Sequence, residues 1–244
     1  MTDKNVMSLS ENHYKEIAEI YAQNSARDLD NFNSAFDRKG RIELGILIQH
    51  GLKKDSVLLD FGCGIGRLGL HASKFLTQGK YIGTDISEHA LEIARSQLRN
   101  YSSHITAQVS FIKQDNYTFP VEESSVDMMS AYSVFNYMEH EDMYNYFKEA
   151  LNIVKQGGYL IISCLTIDIP YAKELFISSS AVSLSKRWSY RRMIITSREL
   201  VEEICKLAGW SLYLWYYFDS PSMHVYGTTE TACYDESVCV LKHL

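Results

Sequence analysis

A chain of 244 residues with 46% hydrophobic side chains can fill one α/β core without disulfide or metal staples, and is short for two independent domains. Its net charge of −6 argues against general binding to nucleic acid through the field of the whole protein. The five cysteines, Cys63, Cys164, Cys205, Cys233 and Cys239, show neither paired zinc spacing nor the density of a secreted disulfide scaffold, so a reducing cytoplasm is the expected setting.

The polar start Met1-Thr2-Asp3-Lys4-Asn5 adjoins no apolar stretch, and the apolar run near 159–165 is too short to cross a bilayer. Two helices are expected next, over residues 11–23 and 33–50. In the first, Tyr14, Ile17, Ala18 and Tyr21 recur at helical spacing, giving one face that either packs on the core or covers a neighbouring pocket. Residues 1–50 are accordingly taken as a helical lid and 51–244 as the main domain.

Residues 57–67 then read Val-Leu-Leu-Asp-Phe-Gly-Cys-Gly-Ile-Gly-Arg, an apolar strand entering Asp-x-Gly-x-Gly-x-Gly. A glycine turn at a strand's carboxyl end lets backbone approach a ligand with no Cβ in the way. A second strand, Tyr81-Ile82-Gly83-Thr84-Asp85, ends in an acid 19 residues past Gly66, placed to receive the two hydroxyls of a ribose. A dinucleotide site would want a small residue where Arg67 stands, and Asp60 at the strand tip would repel a pyrophosphate while accepting an ammonium group. The fitting ligand is a nucleoside that carries a zwitterionic amino acid.

Beyond the glycine loop, Ser87 is placed to cap a helix containing Ala90, Leu91, Ala94 and Leu98, and strand alternates with helix through Ile162. Residues 166–195 interrupt the alternation as an elaborated loop or small helical cap, locally basic at Lys186-Arg187 and Arg191-Arg192, which suggests an acidic acceptor. From Gly209 two strands follow with no helix-length connection, so an antiparallel final hairpin is expected.

These ordered motifs resemble the class I S-adenosylmethionine-dependent methyltransferases over roughly residues 40–244. The resemblance implies an α/β fold: a mostly parallel seven-stranded sheet with helices on both faces, an antiparallel C-terminal hairpin and N-terminal helices that close over the donor. It implies S-adenosyl-L-methionine as cofactor, held by Asp60, Gly62, Cys63, Gly64 and Gly66 of the first motif and by Asp85 and Ile86 at the ribose. Gln114-Asp115-Asn116 matches the place that holds the adenine amino group, with Asp115 and Asn116 as the expected contacts, Tyr132 matches the segment beside the methionine, and Tyr14 and Tyr21 become site residues of the lid.

Methyl transfer needs few protein groups, because the sulfonium already activates its methyl carbon and alignment supplies much of the rate. His140 and Tyr132 are the candidate catalytic side chains, His140 either as a general base or as a helix-capping residue. The Asp/Asn-Pro-Pro-aromatic motif of base-amine methylation is absent, as are a Pro-Cys nucleophile and a carboxylate trio for a metal. The expected reaction is transfer to an oxygen or nitrogen of a small molecule, with no nucleic acid, membrane or metal partner and with a homodimer left open. A protein or RNA methyltransferase and a donor-binding protein without transfer activity are the alternatives.

Overall fold

The protein is described by a computed structural model over residues 14–23, 34–100, 105–183, 186–187 and 193–244. His13, Trp188, Tyr190, Arg191 and Arg192 lie outside the described residues.

Seven strands form the main sheet: β1 (Val57–Phe61), β2 (Lys80–Asp85), β3 (Gln108–Lys113), β4 (Val126–Ala131), β5 (Val154–Cys164), β6 (Ser211–Tyr216) and β9 (Ser237–Lys242). Their order is β3-β2-β1-β4-β5-β9-β6, parallel through β5, with β9 antiparallel to both β5 and β6. This is the expected mostly parallel sheet with an antiparallel pair at its end. The connection between β6 and β9 is longer than a hairpin turn, for β7 (Met223–His224) and β8 (Thr231–Ala232) form a small ladder of their own within it.

Neighbouring apolar residues of the central strands face opposite sides, as the two-residue strand period requires. Leu59, Met129, Leu160 and Cys239 pack on one face, whereas Leu58, Met128, Ile161 and Val240 pack on the other. Both faces are covered, so β1 reads as a continuous apolar run with one acid near its end. The first face is covered by α5 (His140–Ile153) and α7 (Arg198–Leu207) through Met143, Phe147, Val201 and Cys205. The second is covered by α2 (Ser34–Gln49) and by Leu68 and Ala72 at α3 (Gly69–Phe75). Ile42, Leu44, Ile46 and Leu47 of α2 are buried in this layer, and a Cβ at Gly45 would strike the His224 backbone, so the α2 glycine admits the close approach of β7.

Local signals fix the helix ends. Ser87 Oγ accepts from Ala90 N at 3.1 Å at the start of α4 (Glu88–Arg99), and Ser197 Oγ accepts from Leu200 N at 3.2 Å at the start of α7. At the β4–β5 ladder the register jumps from Val126↔Val154 to Met128↔Tyr159, and Gly157 in the loop-out has φ +81°. Residues 14–23 form α1, whose Ala22 packs with Ile65 of the glycine loop and Ala90 of α4. Within 166–195, α6 (Pro170–Ser180) starts on a proline, whose missing N–H costs nothing in a first turn.

Candidate active site

Strand order reverses between β1 and β4, and a crevice opens beyond their carboxyl ends, where open parallel sheets take ligands. A cavity of about 150 Å³ lies there, roofed by Tyr14, Ile17, Ala18 and Tyr21 of α1. The face expected from helical spacing is therefore the one turned to the crevice.

The floor is the turn after β1. Gly62, Gly64 and Gly66 have φ of +67°, +53° and +90°, a region closed to most side chains. A Cβ at Gly62 would press on Val134, and one at Gly66 would lie 3.1 Å from the Ala94 side chain of α4. At Gly64 a Cβ would meet no protein atom within 4 Å, so this backbone faces the open cavity. Gly62, Cys63 and Gly64 line the cavity, whereas Gly66 serves to seat the turn on α4.

Asp85 ties the turn to β2. Its carboxylate accepts from Gly64 N at 2.9 Å and Ser87 N at 2.8 Å and is 8% exposed. Burial raises its pKa to about 6, with the two backbone donors holding it back. Asp60 is 4% exposed, accepts from Tyr81 Oη at 2.7 Å and Ser130 Oγ at 3.0 Å, and is raised to about 7, again by burial first. Both acids and Ile86 line the cavity.

Past β3 the lining residue is Gln114. Its Oε1 is buried without a hydrogen-bond partner while Nε2 donates to Asn116 O at 3.3 Å, so an acceptor is left for a ligand's N–H. Asp115 is exposed and paired with Lys113 at 2.9 Å, and Asn116 Oδ1 accepts from Thr118 N at 2.9 Å; neither lines the cavity. The open carbonyl at Gln114, the bare backbone at Gly64 and the carboxylate at Asp85 fit the adenine amino group, the approach and the ribose of an adenosyl donor.

The far wall is assembled from distant segments. Glu43 of α2, 1% exposed, pairs with Arg67 at 2.5 Å and accepts from Tyr234 Oη at 2.7 Å. Burial alone would lower the Arg67 pKa, but Glu43 beside it holds the guanidinium charged. Tyr132 Oη donates to Glu43 O at 3.4 Å and its phenol pKa is raised by burial, so its edge is committed to the wall. Glu43 was not among the expected site residues, although an acid inside the apolar run Ile42-Glu43-Leu44 was a readable signal; Gln114 stood in the expected adenine motif, but its neighbours Asp115 and Asn116 were taken as the contacts.

His140 opens α5 and its Nε2 lies 3.1 Å from Thr196 Oγ1; it does not line the cavity. Its neighbour Asp142 instead accepts from the hydroxyls of both Tyr14 and Tyr117, while Tyr14 Oη accepts from Glu139 N at 3.1 Å. These bonds fasten α1 to the start of α5. Among the described residues, no His, Cys, Asp and Glu group could hold a metal ion, and no helix is long and apolar enough to cross a membrane.

Residues 58–158 match the family model described as a methyltransferase domain. An uncharacterized methyltransferase of Schizosaccharomyces pombe is 24% identical over 139 residues, covering 53% of this chain and 49% of its own. The chain spans about half the length of the curated relatives it matches. A Thermotoga maritima structure described as a possible histamine N-methyltransferase superposes with TM-score 0.63 at 20% identity, covering 95% of this chain and 100% of its own. Magnesium protoporphyrin IX methyltransferase from Synechocystis PCC 6803, solved with bound S-adenosylhomocysteine, gives TM-score 0.61 at 16% identity with 85% of each chain covered. Residues 58–158 thus match a methyltransferase domain, and the chain has the fold of the S-adenosylmethionine-dependent methyltransferases.

Proposed function

We propose that this chain transfers the methyl group of S-adenosylmethionine to an oxygen or nitrogen of a small molecule. The observation that carries the reading is the roofed cavity in which Gly64, Asp85 and Gln114 offer bare backbone, a carboxylate and an unused carbonyl. When bound, the donor supplies an electrophilic methyl carbon on a sulfonium. Asp60, Asp85, Gln114 and the glycine turn hold and orient it, and α1 with its Tyr14 latch keeps bulk water from the acceptor side. The roof limits the acceptor to a small one. The relatives just described include a porphyrin-directed and an amine-directed name, both small molecules.

Residues 14–23 are the part of the N-terminal segment that we assign as lid, since α2 belongs to the sheet's helical layer. A reducing cytoplasm suits the five free thiols. Calorimetric titration should give near one-to-one binding of S-adenosylmethionine and S-adenosylhomocysteine. Binding of NAD with no response to either adenosyl compound sinks the proposal. Incubation with methyl-labelled donor and a panel of phenols, catechols, primary amines and imidazoles then reads the acceptor class.

A further inference from the structure

The tips of β4 and β5 and the approach to β9 meet at a buried acid with no part in holding the donor. Glu236, 8% exposed, accepts from Ser133 Oγ at 2.7 Å and Ser163 Oγ at 2.5 Å, and Ser163 Oγ in turn accepts from Ser133 N at 2.7 Å. Ser133 lines the cavity next to Tyr132. It holds φ +59°, a left-handed backbone that costs a serine energy and persists only where the surroundings enforce it. Since Ser133 gives its proton to Glu236, its oxygen lone pairs remain for a donor in the cavity.

We propose that Glu236, acting through Ser133, takes the proton of an O–H or N–H acceptor during methyl transfer, which rests on the reading of the cavity as a methyltransferase site. The acceptor lone pair forms the new bond to the methyl carbon, and the departing thioether keeps the electron pair of the broken carbon–sulfur bond. The acceptor's proton passes to Ser133 Oγ as the serine proton passes to the Glu236 carboxylate. One cationic sulfonium and one carboxylate become two neutral groups, a change that a buried site favours. The carboxylic acid later returns its proton to water. Ser133 is the catalytic hydroxyl, and Glu236 the positioning residue that gives it its direction.

The surroundings raise the basicity of Glu236. Burial is the largest cause, hydrogen bonds from Ser163 and Ser133 offset part of it, and Asp235 raises it further. Asp235 is itself paired with Lys39 at 2.6 Å, and the other titratable groups facing Glu236, the Tyr234 phenol and the Cys164 thiol, are buried with raised pKa.

Two variants test the relay without dismantling it. Glu236→Gln keeps the shape, and Ser133→Gly deletes the hydroxyl while suiting the left-handed backbone. Infrared difference spectra of the donor-free protein over pH should show a protonated carboxyl band above the ordinary glutamate range, lost in Glu236→Gln and moved to higher pH in Ser133→Gly. With methyl-labelled donor and the acceptor panel above, both variants should lower kcat about 10- to 100-fold, with acceptor KM within twofold and S-adenosylhomocysteine affinity within threefold. Glu236→Gln should also erase the acid limb of the kcat profile, and Glu236→Asp should restore part of the rate. A missing carboxyl band, a normal kcat in Ser133→Gly, or losses confined to KM and melting temperature would each overturn the relay. If the wild type binds donor yet methylates nothing in the panel, the transfer reading itself fails and the relay falls with it.

Discussion

The donor side and the acceptor side of the cavity are built in opposite ways. The proposed donor side consists of consecutive strand ends, β1, β2 and β3, each bringing its lining residues within a few positions: Asp60 to Ile65, Asp85 with Ile86, and Gln114. The far wall, which we propose faces the acceptor, draws from five separate segments two buried polar clusters, Glu43 with Arg67 and Tyr234, and Ser133 with Ser163 and Glu236. A site made of backbone geometry tolerates little change in shape but much change in side chains elsewhere. A site made of side-chain pairs can be retuned one residue at a time, as fits the half of a transferase that must vary with its acceptor.

The comparison breaks most readily at Gly64. Valine there must adopt φ +53° and place a branched side chain in the cavity, so donor affinity measured by calorimetry should fall at least about 100-fold, combining roughly 1–3 kcal/mol of backbone strain with occlusion. Retained affinity would show that the donor does not approach this backbone. Asp85→Ala comes next, losing charge-assisted hydrogen bonds worth about 1.5–3 kcal/mol, or roughly 10- to 100-fold in affinity. In the wild type, affinity should weaken as pH falls through about 6, where Asp85 takes up its proton, and the variant should lack that step.

Asp60 gives a test that needs no ligand. Its folded pKa, about 7, stands above the ordinary 3.8, so its contribution to stability is fully present below about pH 4 and is lost as pH rises through 7. His71, lowered to about 4 by burial, acts in the opposite sense and loses stability as pH falls from 6.5. The difference in unfolding free energy between Asp60→Asn and wild type should therefore move in favour of the variant between pH 4 and 8, read by denaturant titration. A constant difference across that range would mean that Asp60 is not desolvated.

Smaller effects are expected at the lid and at His140. Tyr14→Phe removes the bonds to Asp142 and Glu139 N, so donor dissociation should quicken about 3- to 10-fold and hydrogen exchange in α1 should rise. Unchanged exchange would detach the latch from the roof. His140→Ala should change both donor affinity and single-turnover transfer by less than about threefold, since its ring bonds Thr196 outside the cavity. A loss of 100-fold or more would return His140 to the reacting centre.

Much of the donor side was legible because its signals are local. Apolar runs gave β1 and β2, the i, i+3, i+4, i+7 spacing of Tyr14, Ile17, Ala18 and Tyr21 gave the roof's face, and Ser87 gave a helix start. At β3 the motif was read in the right place, but Gln114 rather than Asp115 or Asn116 turns to the cavity. There the two-residue strand period and the Lys113–Asp115 pair decide the direction. For residues 166–195, the sequence left a loop and a small helical cap as alternatives, since the helix α6 within it has no strongly one-sided pattern to decide between them.

By itself, the sequence determined the parallel sheet, the glycine turn that follows β1, and the acid at the end of β2, because strand period and positive φ are properties of neighbouring residues. Only the tertiary structure decided that Glu43 meets Arg67 and Tyr234, and that Ser133 meets Glu236 103 residues away. A buried charge becomes tolerable when its partner arrives, and the partner arrives through strand order: β9 inserts between β5 and β6 and carries Tyr234 and Glu236 to the strand tips just before it begins.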